Sequence, residues 1–583
     1  MFFTFKRSTD LLVHQLRSIQ LCLWLAIGLS LTTAPLLSGQ SGDLFTPAAS
    51  FSKENHIVST SFFHWFASTG GQLSGPWMPL EGRENWTGLT DWWKTQIKQV
   101  MMANIDVINV HLIDDAEIRR VLLFRALHEL RREGYDIPKV APFLDPLVTW
   151  YEEPKINLAT SAGKDTLSAQ YIRFYNQYFN ENPDDYAADY LAKIDNRLVL
   201  DTWHVFLNFD NVSSLQRGDL ESRLKTAFGN QYSAFNNGIY MITTALNVPV
   251  FSFADEKIAQ FEINEYYYEV THNNIKTAQL KAGYWDQNVR NPGSFEPRNG
   301  GSHYRDAWNM VGSDVKRIYI ESWNEYDEGT GIYAGDVGAP YLKPGSGNTN
   351  TDVWSSTNDP YEYIHTTAAG AAKFNDYPDT DAKVLTHSLP STLNLNANVT
   401  ASVTIRNAGN ESWTGAAGFR LVQLPTDAFL FLNGGVLIGD TSNEIPTYGG
   451  IFRGRPITFE VNLKAPAVDG NYETHWQMMK GNEPFGEVIT HTIQVGMPTS
   501  SEDIQKRGEW VVAPNPTSDR IRIHWDQQQV NGQIALFDIA GRMVYGQRTI
   551  ANGTNITLGQ PAGVYTLVLT LDGIPHAQKL IIK

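Results

Sequence analysis

The stretch Val315-Lys-Arg-Ile-Tyr-Ile-Glu-Ser-Trp-Asn-Glu-Tyr-Asp-Glu-Gly-Thr330 joins an apolar strand pattern to a turn rich in carboxylates. Its first half is rich in β-branched and aromatic residues, which predicts a buried strand. Seven similar patterns precede it along the chain, and helical patterns separate most of them. They lie at residues 57–66, 106–113, 139–144, 197–203, 238–243, 248–253 and 275–284.

Strands that alternate with helices predict an α/β domain, which we interpret as a (β/α)8 TIM barrel over residues 55–376. A doubly wound open sheet is the alternative, because periodicity alone does not distinguish the two folds. The patterns at 238–243 and 248–253 are too close together for a full helix between them. A helix is therefore expected to be missing or short there.

The pattern changes after the barrel region to short alternating strands without helices. Residues 398–406, for example, alternate apolar and polar side chains with a period of two, which predicts a β-sandwich over residues 384–497. A polar linker at 498–508 leads to a second all-β region at 509–583. We expect a multidomain chain in which the barrel is followed by two all-β sandwich domains.

The N-terminus predicts a secretory signal peptide at residues 1–39. Basic residues precede the apolar run 21–31, and small residues follow it. The run is short for a membrane span, which needs about 20 residues, although an uncleaved membrane anchor is the alternative. Cys22, the one cysteine of the chain, falls in this segment. The mature protein is therefore expected to lack disulfides, thiolate metal ligands and a membrane span.

Composition excludes one class of partner. The chain has 583 residues, with 62 Asp and Glu against 46 Lys and Arg, and a net charge of −16. A nucleic-acid binder needs a basic surface, so we expect no nucleic-acid partner. Aromatic residues make up 12% of the chain, which suits sugar-stacking surfaces and large β-cores equally well.

Glu325 and Glu328 are the strongest candidates for catalysis. They lie three residues apart on the turn that leaves the eighth strand, and barrel enzymes build their active sites at such strand ends. Glycoside cleavage needs one carboxylic acid and one carboxylate on opposite sides of the bond. A solvated acidic loop is the alternative, and spacing alone does not choose between this pair and the neighbouring Glu321 and Asp327.

Other polar and aromatic residues fall at or near predicted strand ends, where they are expected to converge on one substrate-binding cleft. The candidate substrate-binding residues are His64, Trp65, His111, Asp145, Trp203, Asp255, Tyr284, Trp323, Asn324 and Tyr326.

A metal site is the competing interpretation of four of the polar strand-end residues, His64, His111, Asp114 and Asp255. Their spacing does not form a clustered ligand motif. No glycine-rich dinucleotide motif follows a predicted strand either. We therefore expect neither a metal nor another cofactor.

The segment 320–332 resembles the Ser-Trp-Asn-Glu-x-x-Glu-Gly-Thr signature of glycoside hydrolase family 99 and related barrels. Residues 283–286 and 297–304 resemble the same family. The resemblance implies that Glu325 is a base, which helps the 2-hydroxyl of the substrate attack its own anomeric carbon, and that Glu328 is the acid/base. An epoxide-like sugar would then be the intermediate, and the configuration would be retained.

The chain departs from that family at three places. Residues that are unusual for the family stand at Phe62-Phe-His-Trp65, Tyr326-Asp327 and Tyr333-Ala334. The resemblance is therefore to a divergent branch, and the mannose specificity of the family does not carry over. Both α-mannosides and α-glucosides are candidate substrates.

Two further resemblances concern the C-terminal part. Arg406-Asn-Ala-Gly-Asn-Glu-Ser-Trp413, with Trp476, resembles the NBR1-type immunoglobulin-like domain, in which both tryptophans would be core anchors. Val512-Ala-Pro-Asn-Pro-Thr517 and the motifs after it resemble the sorting domain of the type IX secretion system. That resemblance implies that residues 509–583 engage the secretion machinery after export to the periplasm. The protein would then be secreted or held at the outer cell surface.

Two functional hypotheses follow. The first is a secreted or surface-attached glycoside hydrolase that cleaves a glycan or polysaccharide. The second is a catalytically inactive barrel that binds a glycan at the cell surface.

Overall fold

The computed structural model describes residues 48–68, 73–112, 117–145, 155–203, 209–244, 251–258, 263–424, 430–431, 436–437, 450–496, 510–525, 532–539, 541–571 and 574–583. The predicted signal peptide and the predicted linker lie outside the described residues. So does Asp114, one of the four residues considered as metal ligands.

The helices of the described residues all lie before the immunoglobulin-like region. They are α1 (Thr90–Met102), α2 (Glu117–Arg132), α3 (Ser161–Glu181), α4 (Arg217–Phe228), α5 (Ser302–Met310) and α6 (Glu362–Asn375). The strands of the same region are β1 (Ile57–Phe62), β2 (Val107–His111), β3 (Lys139–Leu144), β4 (Ile156–Asn157), β5 (Lys193–Ile194), β6 (Arg197–Trp203), β7 (Phe209–Asp210), β8 (Ile239–Thr244), β9 (Glu256–Ile258), β10 (Tyr267–His272), β11 (Ile275–Lys281), β12 (Tyr284–Trp285), β13 (Phe295–Glu296) and β14 (Arg317–Glu321).

Parallel strands form one barrel-like sheet in the order β11-β14-β1-β2-β3-β6-β8-β9. Strand β14 pairs with both β1 and β11, so the last strand of the chain order lies beside the first. The antiparallel β10 continues the sheet beyond β11. Within the described residues no pairing joins β9 to β10 or β11, so the sheet is nearly but not fully closed. Strands β2 and β3 are buried along their whole length, as parallel strands covered on both faces are.

The two edges of this sheet differ in what they carry. We call the edge where the parallel strands end the carboxyl edge, and the edge where they begin the amino edge. Tyr377, which follows α6, donates to Asp106 Oδ1 (2.8 Å) directly before β2, at the amino edge. The guanidinium of Arg453, from the immunoglobulin-like region, lies 3.8 Å from the centroid of the Tyr377 ring. The Asp136 N–H, before β3, donates to the Gly454 carbonyl (2.9 Å). The immunoglobulin-like region therefore packs against the amino edge.

The sixth predicted strand is placed wrongly. Residues 248–250 lie outside the described residues, but Phe251 to Ala254 form a turn, and β9 begins only at Glu256. The turn is closed by the Ala254 N–H, which donates to the Phe251 carbonyl (3.1 Å). An apolar run fits a buried turn as well as a strand, which is why the pattern misplaced this element.

The remaining strands build the all-β part of the chain. They are β15 (Ala382–His387), β16 (Thr392–Leu393), β17 (Asn398–Asn407), β18 (Phe419–Gln423), β19 (Leu430–Phe431), β20 (Val436–Leu437), β21 (Pro456–Lys464), β22 (Gly470–Lys480), β23 (Glu483–Val495), β24 (Trp510–Ala513), β25 (Arg520–Trp525), β26 (Gly532–Phe537), β27 (Met543–Ile550), β28 (Asn555–Thr557), β29 (Gly563–Leu571) and β30 (Ile574–Ile582). Trp413 and Trp476 are fully buried, which confirms their prediction as core anchors.

By its internal contacts the described chain divides into two compact units. The first holds the described residues within Met1–Ser391, Asn396–Pro466 and Asn471–Ile493, and it contains both the barrel-like sheet and most of the immunoglobulin-like strands. The second holds Thr392–Leu395, Ala467–Gly470 and Gln494–Lys583. Its C-terminal part packs a three-stranded sheet, β24-β25-β28, and a four-stranded sheet, β27-β26-β29-β30, around one apolar core.

A buried ion pair joins β9 to β14 at the amino edge. Arg317 Nε donates to Glu256 Oε1 (2.9 Å), and the Tyr240 hydroxyl donates to the same oxygen (2.6 Å). The side chains of Glu256 and Arg317 are only 2% and 6% exposed. Because β9 and β11 are not paired with each other in the described residues, this contact links β9 to β14 across the open seam of the sheet.

We expect Glu256→Ala to lower the free energy of unfolding of the barrel by about 3–5 kcal/mol, because Arg317 would be left as an unpaired buried charge. Urea unfolding followed by tryptophan fluorescence measures this change. Glu411→Ala is the matched control, since Glu411 pairs with Lys480 at the surface and its loss should cost under about 1 kcal/mol. Equal costs for the two variants would contradict the structural role of the Glu256 pair.

Candidate active site

The two candidate catalytic glutamates lie on the β14 loop, which we define as residues 322–332, at the carboxyl edge. Asn324 ties this loop to the chain directly after β1: its Nδ2 donates to the Phe63 carbonyl (2.7 Å), and its Oδ1 accepts from the Phe63 N–H (2.8 Å). The Ser322 hydroxyl accepts from the Glu325 N–H (2.7 Å). These bonds fix the backbone from which the Glu325 side chain projects.

Arg298 holds the far end of the β14 loop. Its Nη2 donates to the carbonyls of Gly329 (2.8 Å) and Gly331 (2.6 Å). The guanidinium is fully buried and lies about equally far from three aromatic rings, at 4.5 Å from Trp77, 4.5 Å from Trp354 and 4.6 Å from Tyr363. Such cation–π contacts stabilise a buried cation without a carboxylate. Gly329, at φ +60°, lies in the left-handed region that glycine adopts without strain.

Glu328 is bound by a neighbouring arginine. Arg290 Nη2 donates to Glu328 Oε1 (2.7 Å), while its Nη1 donates to Asp286 Oδ2 and to the Tyr284 hydroxyl (2.8 Å). The Tyr284 hydroxyl in turn donates to Asp286 Oδ2 (2.9 Å). Tyr284 was predicted to bind substrate, and the structure places it beside Glu328 through this network.

The carboxylates of the loop differ in their surroundings. Burial, followed by the charges of Glu328, Asp327 and Glu321, raises the pKa of Glu325 well above its ordinary value. Burial also raises the pKa of Glu328, but the hydrogen bond and the charge of Arg290 oppose the rise. The bond to Arg290 therefore favours ionisation of Glu328 over ionisation of Glu325.

The other two acids of the turn have different contacts. Asp327 Oδ1 accepts from the Ser74 N–H (2.7 Å), and burial raises its pKa to about 6. Glu321 ends β14, and Gln279 Nε2 donates to its Oε2 (3.2 Å). Burial and the charge of Glu328 raise the pKa of Glu321 to about 8. Spacing could not separate these acids, whereas the contacts give Asp327 a role in anchoring the loop.

Several predicted strand-end residues do gather at the carboxyl edge. His111 Nε2 lies 3.4 Å from Asp145 Oδ2, and the charge of Asp145 contributes to raising the pKa of Glu328. Burial lowers the pKa of His111, and Asp145 opposes this shift. Trp65 is half-buried, with its ring edge-on to His111 at 4.5 Å between centroids.

His64 and Trp203 lie at the same edge with structural contacts of their own. His64 is fully buried, and its Nε2 lies 2.9 Å from the His111 carbonyl. Trp203 is half-buried and packs edge-to-face on Phe143, at 6.2 Å between centroids. Of the two, Trp203 is the one with surface left to meet a ligand.

Three predicted substrate-binding residues are core residues instead. Trp323 is fully buried, and its Nε1 donates to Gln96 Oε1 (3.3 Å). Tyr326 is also fully buried, with its hydroxyl directed at Met78 Sδ (3.1 Å). Their prediction as sugar-stacking faces is wrong, because no ring surface is left for a ligand. Asn324 is likewise wrong as a contact, since both of its amide atoms bind Phe63.

Asp255 lies at the opposite edge of the sheet, and its prediction as a cleft residue is wrong. Its carboxylate accepts from Arg197 Nη1 (2.9 Å), Arg217 Nη1 (2.7 Å) and the Met241 N–H (2.9 Å), all near the amino edge. The error follows from the misplaced sixth strand, because Asp255 precedes that strand rather than following it.

The structure adds residues that the sequence did not single out, chiefly Arg290, Arg298 and Asp286. Arg298 stands inside the quoted motif 297–304, but neither its spacing nor its neighbours indicated a loop anchor. Among the described residues, no group of three His, Cys, Asp or Glu side chains is placed to hold a metal ion.

Family models match the two C-terminal regions. Residues 389–495 match the Ig-like domain from next to BRCA1 gene, and residues 511–583 match the secretion system C-terminal sorting domain. Both resemblances stated above for these regions are confirmed. The second match indicates that a type IX secretion system handles the chain and that the protein is extracellular or at the cell surface. Within the described residues, every helix is too short or too polar to cross a membrane.

Solved structures similar to this chain include several glycoside hydrolases, whereas no curated protein matches it. A GH99 endo-α-mannosidase from Bacteroides thetaiotaomicron matches with a TM-score of 0.39 and 14% identity, over 56% of this chain and 99% of that one. β-Glucuronidase 3 from Bacteroides uniformis matches with a TM-score of 0.29 and 9% identity, over 91% of this chain and 64% of that one. A β-glycosidase from Bacteroides vulgatus matches with a TM-score of 0.26 and 9% identity, over 92% and 66%.

We expect Arg298→Lys to destabilise the protein by about 3 kcal/mol, because a lysine cannot keep two carbonyl bonds and three stacking contacts at once. The β14 loop should also become more accessible, which limited proteolysis with mapping of the cut sites measures. Arg305→Lys is the control, since Arg305 forms a partly exposed ion pair with Glu362. Unchanged proteolysis of residues 322–332 in Arg298→Lys would contradict the anchoring role.

Proposed function

We propose that the protein is an exported glycoside hydrolase that acts on a glycan or polysaccharide, with Glu325 and Glu328 as its catalytic pair. One observation carries the proposal. Two carboxyl groups with different electrostatic surroundings lie on one anchored loop at the carboxyl edge of a barrel-like sheet. Glycoside cleavage requires this combination of a proton donor and a carboxylate.

The proposal includes a (β/α)8 barrel as the scaffold. The parallel order β1-β2-β3-β6-β8-β9, with β11 and β14 returning to β1, supports it, because the last strand of such a barrel lies beside the first. Active sites of these barrels lie at the carboxyl edge, where the β14 loop, Asp145 and Trp203 are found. Trp65 is kept as a candidate substrate contact, and the buried His64, His111 and Tyr284 are kept as candidates that position neighbouring side chains of the site.

The chemistry divides into two steps. In the first, a carboxylic acid gives its proton to the glycosidic oxygen as the bond to the anomeric carbon breaks, and a carboxylate takes the proton of the substrate's 2-hydroxyl as that oxygen bonds to the anomeric carbon. In the second, water opens the epoxide-like sugar at the anomeric carbon, the first group takes a proton from the water, and the second group returns its proton to the 2-oxygen. In the free site the bond from Arg290 to Glu328 favours Glu325 as the proton donor and Glu328 as the carboxylate. This assignment is the reverse of the one that the family resemblance implies, so we propose the pair with Glu325 as the acid. The α-mannosides and α-glucosides, cleaved with retention, stay the candidate substrates.

Export would proceed in two stages. The predicted signal peptide at residues 1–39 would bring the chain to the periplasm. The sorting domain would then engage the type IX machinery, which is consistent with a polysaccharide substrate outside the cell.

The first test is a product screen. Wild type and a Glu325→Gln/Glu328→Gln variant are incubated with α-mannans, α-glucans and host-type glycans, and released oligosaccharides are identified by mass. We expect release by the wild type alone, because loss of general acid catalysis by itself slows cleavage by about 10²–10⁴-fold. Glu411→Gln, at the surface, should leave release unchanged. No release, with equal glycan binding by both proteins, would contradict the enzyme and favour the inactive glycan binder.

Substrates with different leaving groups distinguish the role of Glu325 from that of Glu328. Aryl glycosides of the released sugar, with good and poor leaving groups, are compared in the single variants. We expect Glu325→Gln to lose activity chiefly on poor leaving groups, because a good one departs without protonation. If Glu328→Gln shows this pattern instead, the roles are those that the family resemblance implies.

The pH dependence follows from Arg290. Activity should rise as pH increases through the pKa of Glu328 and fall as pH increases through the higher pKa of Glu325. Arg290→Met removes the charge that holds the pKa of Glu328 down, so the acid limb of the kcat/KM profile should move to higher pH. Arg125→Met, which breaks a surface pair with Glu181, is the control. An unmoved acid limb in Arg290→Met would contradict this assignment.

A further inference from the structure

A polar cavity of about 380 Å³ is lined in part by Arg290, which also binds Glu328. Two segments line it, residues 287–293 and 346–350. We call it the amide pocket, because Gln287, Asn291, Asn348 and Asn350 contribute side-chain amides to it. Its volume is within the range of small-ligand sites, about 300–1,000 Å³.

The amide pocket is held in shape by a buried asparagine. Asn288 Nδ2 donates to the carbonyls of Ser74 and Tyr341 (2.8 Å each), and its Oδ1 accepts from the Lys343 N–H (3.1 Å). In the facing segment, Asn348 Oδ1 accepts from the Asn350 N–H (2.9 Å). Both walls are therefore ordered by bonds within the protein, which lowers the entropy cost of binding.

The lining selects for an uncharged, hydroxyl-rich ligand. Amides and hydroxyls both donate and accept hydrogen bonds, as sugar hydroxyls require. No carboxylate and no aromatic ring lines the pocket. The one charge, Arg290, is already bound to Asp286 and Glu328. An anionic ligand would therefore compete with two carboxylates for it.

Two side chains are left available for such a ligand. Gln287 is half-buried and Thr349 is exposed, and within the described residues neither side chain forms a hydrogen bond. Arg290 connects this wall to Glu328, so a chain of sugars bound at the catalytic pair could extend into the pocket.

We propose that the amide pocket is a subsite for an uncharged sugar unit of the substrate, next to the catalytic pair. This inference rests on the proposed function and deepens it, because recognition would then cover more than the sugar at the cleaved bond. The substrate would be a neutral oligosaccharide or polysaccharide rather than a single glycoside or an anionic glycan.

The test measures binding apart from cleavage. Mannotriose, maltotriose, cellotriose and trigalacturonate are titrated by calorimetry into the full chain carrying Glu325→Gln/Glu328→Gln. We expect a neutral trisaccharide to bind. Adding Gln287→Ala and Thr349→Ala should raise the Kd of that trisaccharide by about tenfold, which is the effect of losing two hydrogen bonds. Thr349→Phe, which narrows the pocket without removing Gln287, should weaken binding as well.

Gln231→Ala is the matched control, because it removes an exposed amide that follows α4, near the amino edge. Thermal unfolding confirms that each variant is folded. Equal Kd values for the pocket variants and Gln231→Ala would overturn the proposal. So would tighter binding of trigalacturonate than of any neutral trisaccharide, or no binding of the neutral trisaccharides. The product screen tests the hydrolase activity separately. If the pocket variants bind more weakly but the wild type releases no product, the pocket is a sugar-binding site and the proposed hydrolase activity is wrong.

Discussion

The β14 loop depends on a buried cation that no carboxylate neutralises within the described residues. Arg298 is held by three aromatic faces and by the carbonyls of Gly329 and Gly331. A carboxylate partner would have added another negative charge to a site that already contains several acids. Aromatic faces and carbonyl dipoles stabilise the guanidinium without adding net charge.

The carboxyl edge holds several acids close to this loop anchor. Glu321, Glu325 and Glu328 all have raised pKa values, because burial disfavours their charged forms and each carboxylate opposes the ionisation of its neighbours. Arg290 makes the two candidate catalytic groups unequal, because it binds Glu328 and not Glu325. Unequal surroundings of this kind are what separate acid and base roles need.

Sequence patterns predicted where the chain would turn, but they could not predict which way the side chains of a turn would face. Most strands were found near their predicted positions, and Glu325 and Glu328 were placed at a strand end by spacing. Trp323 and Tyr326 looked equally suited to the cleft. Their inward direction follows from the bonds between Asn324 and Phe63, which join residues 261 positions apart. The sixth strand was misplaced for a related reason. An apolar run indicates that a segment is buried, but it does not distinguish a strand from a turn.

The two edges of the sheet carry different features. Contacts that stabilise the fold lie at the amino edge, and the candidate site lies at the carboxyl edge. The immunoglobulin-like region and the Glu256–Arg317 pair lie at the amino edge, so the carboxyl edge of the barrel-like sheet is not covered by that packing. An anionic glycan at the carboxyl edge would meet the carboxyl groups of Asp145, Asp286 and the β14 loop, which disfavour a further negative charge. The amide pocket lies beside these acids, and no carboxylate is among its described lining residues. The neutral saccharide that we propose for the pocket would avoid this repulsion and would find hydrogen-bond partners at the amides.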